Sequence, residues 1–470
     1  MAGSVKKGFG TYLFIFIMAL VAAFLITIVV MIFQPFQNVL GFTYFTYDEE
    51  KLIYELTDDN KTSIALDSRE TINIDCDYAE VRVERSTKVD EPAVRVTNKS
   101  KGFAKFEDFT EFSYQVTKAN YENILNITIN EPQGFVFFQK DVEVAILLPA
   151  FEAVATENVE LNITTTGGNV YLGSQNKITE QRKDKTTYPN ISFKNMFVSC
   201  GDGDLIVFPQ VENSVENVYL RTKGGNITVY PSFTDASNIT FRTETGRISI
   251  NEVKSDNINL NVGNGQFNGS KLTGEVSLLA QNGYIKVNLI QGNLTSFDSA
   301  SQFEKANISL AEINGNVSFP FANGSKIYIG KTNETSQVAI SGTNGSVTID
   351  NLYGAGWIKL TSGNIKINTY ATDISAETTT GNINVTYNAN AILNQLDFVS
   401  TSGQINVNAN DVLAFKIEAY KTNRENKTDN VNVETFDGFS NPVVINGGSK
   451  LMKFVSDGKI NVNFFTVVEN

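Results

Sequence analysis

Along most of the chain, apolar residues alternate with polar ones in short phrases that each begin with glycine. Each phrase places aliphatic residues, or Phe, two and four positions after the glycine, as in GNIKI from Gly363 and GNINV from Gly381. Alternation with a period of two is typical of a β-strand with one buried face. The β-branched residues Ile, Val and Thr fill many of these positions, which also favours strands. We therefore predict an almost entirely β structure beyond the N-terminal segment.

The glycines recur at nearly constant steps along the chain. The steps from Gly345 to Gly363, Gly381 and Gly403 are 18, 18 and 22 residues. Such a period is that of one coil of a β-solenoid, whose coils stack about 4.8 Å apart. We predict a parallel β-solenoid (β-helix) over residues 151–470. The same pattern leaves open an antiparallel sandwich or barrel.

Each phrase also predicts which side chains face the core. Ile365 and Ile367 are expected to point inwards, with Ile383 and Val385 stacked on them in the next coil. Lys366 lies between two apolar positions, so we expect it to meet solvent. The glycine that begins each phrase suits a turn that requires a positive φ.

Residues 42–150 have a different pattern, with longer apolar and polar alternations and a higher density of charges. The end coil of a solenoid exposes a sheet edge that has to be covered. We therefore predict that residues 42–150 form an N-terminal β module that caps the first coil. The last residues, KINVNFFTVVEN, are predicted to form the closing coil.

One membrane-spanning helix is predicted near the N-terminus. Residues 11–33 contain no charge and are long enough to cross a bilayer about 30 Å thick. Lys6 and Lys7 precede this run, which predicts a short cytoplasmic tail at residues 1–10 and an extracellular or lumenal location for residues 35–470. The alternative, a cleaved secretory signal, normally has a shorter apolar region and a small-residue cleavage site.

Charge and composition exclude several classes of function. The formal net charge is −13 and basic residues are scattered, which argues against a nucleic-acid partner. The chain contains no histidine, so catalytic systems and zinc sites that need an imidazole are excluded. We predict no enzymatic activity, no cofactor and no metal site. The two cysteines, Cys76 and Cys200, are a candidate disulfide, and two buried free thiols are the alternative.

Three segments in order carry a resemblance to a known family. They are the strand pair INIDCDYAEVRVERS, the apolar strand DVEVAILLPAF that contains a proline, and TTTGGNVYL followed by many similar phrases. This order resembles the adhesin family of β-strand-repeat domains, also described with the head GIN domain of autotransporter-like adhesins. The resemblance covers about residues 70–410. It implies a surface-exposed, all-β protein without enzymatic activity, and it supplies no catalytic residues.

A few residues stand out as candidate binding groups. Asp202 and Asp204 are oxygen ligands of the kind that calcium takes, but they occur once and also suit a solvated turn. Trp357 and Tyr353 are candidate ligand-contact aromatics, because a Trp and a Tyr on one solenoid face can stack on a sugar; core packing is the alternative.

Glycosylation sequons are frequent after the predicted span. We take as candidates seven of them: Asn60, Asn98, Asn126, Asn190, Asn268, Asn333 and Asn426. Together these features predict a single-pass membrane protein that presents a β-solenoid for adhesion or as a stalk, with surface glycans or other surface proteins as partners. The alternatives are a self-associating structural scaffold and a carbohydrate-active β-helix enzyme.

Overall fold

The computed structural model describes residues 9–33, 42–55, 64, 66, 69–105, 112–118, 123–131, 135–174, 190–209, 211, 216–230, 233–296, 303–370, 373–388, 391, 393–427, 429–434, 439 and 441–466. Its one helix in these ranges is α1 (Phe9–Phe33), an apolar segment in which the side chains described cover residues 13–26 and 28. Over the described residues, no helix has both the length and the hydropathy needed to cross a bilayer. The predicted span over residues 11–33 therefore stays a prediction, and residues 1–8 of the predicted tail lie outside the described ranges.

The segment predicted as an N-terminal module contains ten strands. They are β1 (Phe42–Thr46), β2 (Glu49–Ile53), β3 (Thr71–Cys76), β4 (Glu80–Ser86), β5 (Ala93–Asn98), β6 (Lys101–Lys105), β7 (Ser113–Lys118), β8 (Ile124–Asn130), β9 (Phe135–Gln139) and β10 (Val142–Pro149). β1, β6 and β9 form a small antiparallel sheet of their own. The other strands belong to the large sheet that runs through the rest of the molecule.

The following segment supplies the long series of strands between residues 160 and 387. They are β11 (Glu160–Thr165), β12 (Val170–Leu172), β13 (Asn195–Cys200), β14 (Leu205–Val207), β15 (Asn217–Thr222), β16 (Ile227–Val229), β17 (Phe233–Thr243), β18 (Arg247–Val262), β19 (Gln266–Gln281), β20 (Tyr284–Gln291), β21 (Leu294–Ser296), β22 (Phe303–Glu304), β23 (Asn307–Asn314), β24 (Val317–Phe319), β25 (Ser325–Thr332), β26 (Gln337–Leu352), β27 (Ala355–Thr369), β28 (Asp373–Thr378) and β29 (Ile383–Tyr387).

The C-terminal end adds seven further strands. They are β30 (Gln395–Ser400), β31 (Ile405–Asn410), β32 (Phe415–Tyr420), β33 (Val431–Val433), β34 (Val443–Ile445), β35 (Leu451–Ser456) and β36 (Ile460–Phe465).

Successive coils pair in parallel through two main ladders, which confirms an all-β architecture with solenoid-type stacking. Ladder A, defined as the ladder that contains β3, β11 and β13, continues to β26, β27, β28 and β30. Ladder B, defined as the ladder that contains β4, β12 and β14, continues to β27, β29 and β31. The longest strands pass through both ladders without a break, so one strand supplies two sides of a coil.

The core forms as the alternation predicts. Ile365 and Ile367 are fully buried and pair in register with Ile383 and Val385 of the next coil, which are also fully buried. The intervening Lys366 is exposed. The interior is thus a continuous column of stacked aliphatic side chains, which each coil extends by one layer.

The recurring glycines are required mainly by the close approach of neighbouring coils. Gly363 does have a positive φ of 135°, as predicted. Gly381 has no such conformation, yet a Cβ built on it would lie 1.7 Å from the carbonyl oxygen of Gly363. A Cβ on Gly403 would lie 1.8 Å from the carbonyl oxygen of Gly381. The glycines therefore stack backbone on backbone, which leaves no room for a side chain.

The N-terminal end of the ladders is covered, but not by a separate module. β3 and β4 already pair in parallel with β11 and β12, so residues 71–86 form a coil of the solenoid. β8 and β10 stack in parallel on the outer side of that coil. Antiparallel β7 then pairs with β8, and antiparallel β5 with β10. The segment 42–150 thus contributes both coils and the strands that cover their outer edge.

The C-terminal end differs from the prediction that the last residues close the solenoid. β35 and β36 pair with β30 and β31 on one side and with β32 and β33 on the other. The last strands of the chain therefore lie inside the stack, and the earlier β32 and β33 lie outside them. β34 pairs antiparallel with β32 at this outer coil. At each end of the stack, the order of the coils in space thus differs from their order in the sequence. No local sequence pattern encodes this difference.

Candidate functional site

Trp357 is exposed on the outer surface of ladder A. It lies in β27, where Gly356 and Ile358 on either side are buried and Trp357 keeps 44% of its surface exposed. Successive residues of a strand point to opposite faces, so the alternation that buries Ile358 directs Trp357 outwards. The alternative of core packing is therefore wrong for Trp357.

A cleft of about 290 Å³ adjoins the Trp357 ring. We call it the Trp357 cleft; its lining residues are Trp357, Asp373, Ile374, Ser375, Asn394, Gln395 and Asp397. The register of ladder A explains how these residues meet, because Trp357 pairs with Ser375 and Ser375 pairs with Asp397. Three consecutive coils thus contribute to one site.

Hydrogen bonds hold the polar side chains of the cleft in place. The Asp373 Oδ1 atom accepts from the Asn394 Nδ2 atom at 2.8 Å and from the Gln395 backbone nitrogen at 3.1 Å. The Gln395 Nε2 atom donates to the Asp397 Oδ2 atom at 2.8 Å. The Asn394 Oδ1 atom accepts from the Lys450 Nζ atom at 3.3 Å. An exposed indole beside positioned carboxylates and amides suits a ligand that has both an apolar face and hydroxyl groups.

Tyr353 does not belong to this cleft. Its ring stacks on the ring of Tyr370, with centroids 4.7 Å apart and an angle of 4° between the planes. The Lys331 Nζ atom lies 6.0 Å from the centroid of the Tyr353 ring. The structure therefore does not bring Trp357 and Tyr353 together as one binding pair, because Tyr353 lies in the connection between β26 and β27, whereas Trp357 lies within β27 and lines the cleft.

The other residues of the cleft were missed by the sequence reasoning, although a signal was present. The glycine steps of 18 and 22 residues from Gly363 lead to Gly381 and Gly403. The same steps applied to Trp357 lead to Ser375 and Asp397, which are its partners in the register. Applying the period to an outward-facing aromatic residue would have found the centre of the site.

Cys76 and Cys200 are buried free thiols and form no disulfide in the structure. Each is aligned with Thr165 on opposite sides of β11, so a whole strand separates them. Burial raises the pKa of the Cys76 thiol and that of the Cys200 thiol to about 12. The alternative of two structural thiols, protonated at neutral pH, is therefore the one that the structure supports.

The candidate sequons differ in accessibility. Asn98 is 1% exposed, and its Oδ1 atom accepts a hydrogen bond from the backbone nitrogen of Ser100, which is also buried. The Asn98 candidate is therefore wrong for the folded protein, because a glycan has no space at this position. Asn190 and Asn426 are exposed, and Asn126, Asn268 and Asn333 are partly buried. Asn60 lies outside the described residues.

The paired aspartates of the GDGD segment take part in contacts between coils. The Asp204 Oδ1 atom accepts from the backbone nitrogen of Asn226 at 2.7 Å and from its Nδ2 atom at 3.0 Å. Such bonds are typical of a turn, which was the alternative to a calcium site for these two aspartates. Among the described residues, no group of three or more Cys, Asp and Glu side chains is arranged to hold a metal ion.

Comparison with known proteins places the chain in a family. The model of the Toastrack family DUF4097 matches residues 69–318 and again residues 291–438. The chain therefore belongs to the Toastrack DUF4097 family. Together with the stacked coils, this identifies a β-repeat protein of the general kind that the sequence resemblance implied.

A solved structure and the curated proteins add little beyond the family. The crystal structure of a protein described as a "putative adhesin" from Bacteroides fragilis NCTC 9343 has a TM-score of 0.25 and 10% sequence identity, over 69% of this chain and 99% of that one. No curated protein matches the chain.

Proposed function

We propose that this protein is a membrane-anchored, non-enzymatic surface protein that binds glycans in the Trp357 cleft. The observation that carries the proposal is the exposed Trp357 ring beside Asp373, Asn394 and Asp397. A sugar ring presents an apolar face to an indole, and its hydroxyl groups are donors and acceptors for carboxylates and amides. The rigid ladder A beneath the site would keep these groups in place without a bound ligand.

Helix α1 supplies the anchor in this proposal. Its residues 13–26 are apolar and exposed, and only Lys6 and Lys7 carry charge before it. An apolar helix with basic residues on one flank favours insertion with that flank in the cytoplasm. The solenoid would then lie on the outer side of the membrane, where the Trp357 cleft can meet surface glycans.

Protease treatment of intact cells that express the full chain tests the location. We expect digestion of the part after residue 35, because no membrane would shield it from the protease. A known cytoplasmic protein serves as the control for intact cells. If the chain stays whole while another surface protein is digested and the digestion goes to completion only after lysis, the proposed location is wrong.

Glycan binding by the full chain in detergent tests the site. We expect Trp357→Ala to weaken binding of the glycans selected on an array by about 30-fold, because an exposed tryptophan at a binding site typically contributes about 2 kcal/mol. Tyr328→Ala is a matched control, since Tyr328 is an exposed aromatic residue of β25 that lies outside the cleft.

The glycan-binding affinities of the two variants decide whether the Trp357 cleft is the binding site. Loss of binding with Trp357→Ala and retention with Tyr328→Ala supports the proposal. Equal affinities for wild type and Trp357→Ala would show that the cleft is not the site. A turnover assay on each bound glycan decides between binding and catalysis, and release of a shortened product would overturn the non-enzymatic part.

A further inference from the structure

A second cleft lies on the same outer face as Trp357, farther along the stack. The register of ladder A runs from Trp357 through Ser375 and Asp397 to Lys453, and then to Glu418 in the outermost coil. Four steps of about 4.8 Å place Trp357 about 19 Å from Glu418 along the stack. Both clefts therefore open onto one continuous surface, at a separation that an oligosaccharide chain can span.

The second cleft, here called the basic cleft, has a volume of about 580 Å³. Its lining residues are Glu418, Tyr420, Lys421, Thr422, Arg424, Leu451, Lys453 and Val455. Three of these side chains are cationic and one is anionic, in a chain whose formal net charge is −13. Among the lining side chains positive charge exceeds negative charge, which points to an anionic group of a ligand at this position, although Asp429 and Asp457 lie next to the cleft.

The single carboxylate of the basic cleft is already paired. The Glu418 Oε1 atom accepts from the Lys416 Nζ atom at 2.6 Å, and its Oε2 atom accepts from the Tyr420 hydroxyl at 2.8 Å. The hydrogen bond from Lys416 lowers the pKa of Glu418. Glu418 thus fixes the orientation of the Tyr420 ring, over which the Lys453 Nζ atom lies 5.8 Å from the centroid.

The turn that carries Arg424 is also held in place. The Arg424 backbone nitrogen donates to the Lys421 carbonyl at 2.9 Å, and Arg424 has a φ of 70°. The Asp457 carboxylate accepts from the Thr422 hydroxyl at 2.5 Å and from its backbone nitrogen at 3.1 Å. The Lys421 Nζ atom lies 3.7 Å from an Asp429 oxygen.

Two cations of the basic cleft, Arg424 and Lys453, are not held in a close ion pair within the part of the chain that the structure describes, although Lys453 interacts electrostatically with Glu418. Both side chains are exposed. Arginine can bind a carboxylate or a sulfate through two parallel hydrogen bonds, and lysine adds a point charge. Tyr420 offers a ring face beside them, which suits a saccharide that carries an acidic group.

We propose that the basic cleft binds the carboxylate or sulfate group of an acidic saccharide whose neighbouring sugar residues extend to the Trp357 cleft. This inference rests on the proposed glycan-binding function and names its ligand class. Arg424 and Lys453 bind the acidic group, Tyr420 contacts the ring that bears it, and Trp357 contacts a sugar residue at the other end. The carboxylates Asp373 and Asp397, which line the Trp357 cleft, favour hydroxyl groups over further acidic groups there.

The test uses the full chain in detergent and pairs of probes that differ in charge. Calorimetry compares oligogalacturonate with its methyl ester, which keeps the same rings but lacks the charge, and a heparin-derived tetrasaccharide distinguishes sulfate from carboxylate. We expect Arg424→Gln combined with Lys453→Gln to weaken binding of at least one charged probe by about tenfold and to leave the methyl ester unchanged, since each lost hydrogen bond involves a charged group. Lys286→Gln combined with Lys326→Gln removes the same charge from exposed positions elsewhere.

Each outcome decides between the two proposals. If the Trp357→Ala variant weakens the methyl ester and the charged probe equally, and the double variant has no effect, the basic cleft fails and the glycan function stands. If only the double variant weakens the charged probe, the basic cleft binds anions and the Trp357 site fails. If the charged probes fail to bind wild type while glycans selected on the array do bind it, the basic cleft is overturned and the glycan function stands. Equal losses in the Lys286 and Lys326 variant would attribute the effect to net charge and overturn the basic cleft.

Discussion

Gly381→Ala is expected to lower the stability of the solenoid by about 3 kcal/mol or more, the upper range for overpacking in a core without space. The new Cβ would lie 1.7 Å from the carbonyl oxygen of Gly363 and 2.4 Å from its carbonyl carbon. Both are backbone atoms, which cannot rotate away as a side chain does. Relief therefore requires the two coils to separate, which breaks the hydrogen bonds of β27 with β29.

The neighbouring coils leave no room for that separation. Gly345 and Gly403 occupy the same position in the coils on either side, where a Cβ would also meet backbone at 2.2 Å and 1.8 Å. A shift of one coil would therefore disturb the contacts of the next. In a stack whose coils contact only their neighbours, we expect the damage to concentrate between β27 and β31.

Thermal unfolding and limited proteolysis of the full chain measure this effect. Gly447→Asn is the matched control, because Gly447 has no heavy atom within 4 Å of an added Cβ and its φ of 69° is one that Asn tolerates. We expect a clear fall in Tm and new cleavage near residue 381 for Gly381→Ala alone. A Tm within about 2 °C of wild type would contradict close backbone packing as the reason for this glycine.

Much of the repeat was predictable because its determinants are local. The alternation around Ile365 and Ile383 fixes which face is buried, and a constant step brings equivalent residues into register. The expected reason for the glycines, a positive φ, was right for Gly363 but not for Gly381. A positive φ is a property of one residue, so the local sequence can indicate it. The close approach at Gly381 depends on the coil beneath it, which becomes known only when the register is known.

The candidate site was less predictable because it is assembled across coils. Trp357 was found as a single exceptional residue, whereas Asp397 lies 40 positions further on and became a partner only through two steps of the register. The basic cleft is harder still, since β35 is inserted between β30 and β32. Lys453 therefore adjoins Glu418 although it lies 35 positions further along the chain, with β33 and β34 between them in the sequence. No periodic pattern in the sequence describes that insertion.

Replacement of Arg85, at the N-terminal end of the stack, is the second change from which we expect a large loss of stability. Arg85 is 8% exposed, and its Nη1 atom donates to the Pro149 carbonyl at 2.8 Å and to the Glu152 carbonyl at 3.0 Å. Its Nε atom donates to the Asn190 carbonyl at 3.1 Å. One guanidinium thus joins β4 to the end of the outer coil at β10 and to the chain that leads into β13.

We expect Arg85→Met to cost about 3 kcal/mol of stability, because buried hydrogen bonds from a charged donor contribute about 1.5–3 kcal/mol each and water can replace the one at exposed Asn190. Methionine keeps a comparable length and apolar stem, so the loss reports the hydrogen bonds more than the packing. The stability of Arg85→Lys should fall between that of wild type and that of Arg85→Met, since an ammonium lacks the planar fork that reaches several carbonyls at once.

Hydrogen exchange followed by peptide mass analysis locates this effect, with Arg247→Met as an exposed control in β18. Faster exchange in the peptides of β10 and β13 and unchanged exchange around β29 would show that Arg85 fastens the covering strands to the stack. If Arg85→Met unfolds at the same temperature as Arg247→Met and exchanges equally slowly at β10, the guanidinium is dispensable. The outer coil is then held by the pairing of β10 with β4 and β5, which supplies backbone hydrogen bonds along both of its edges.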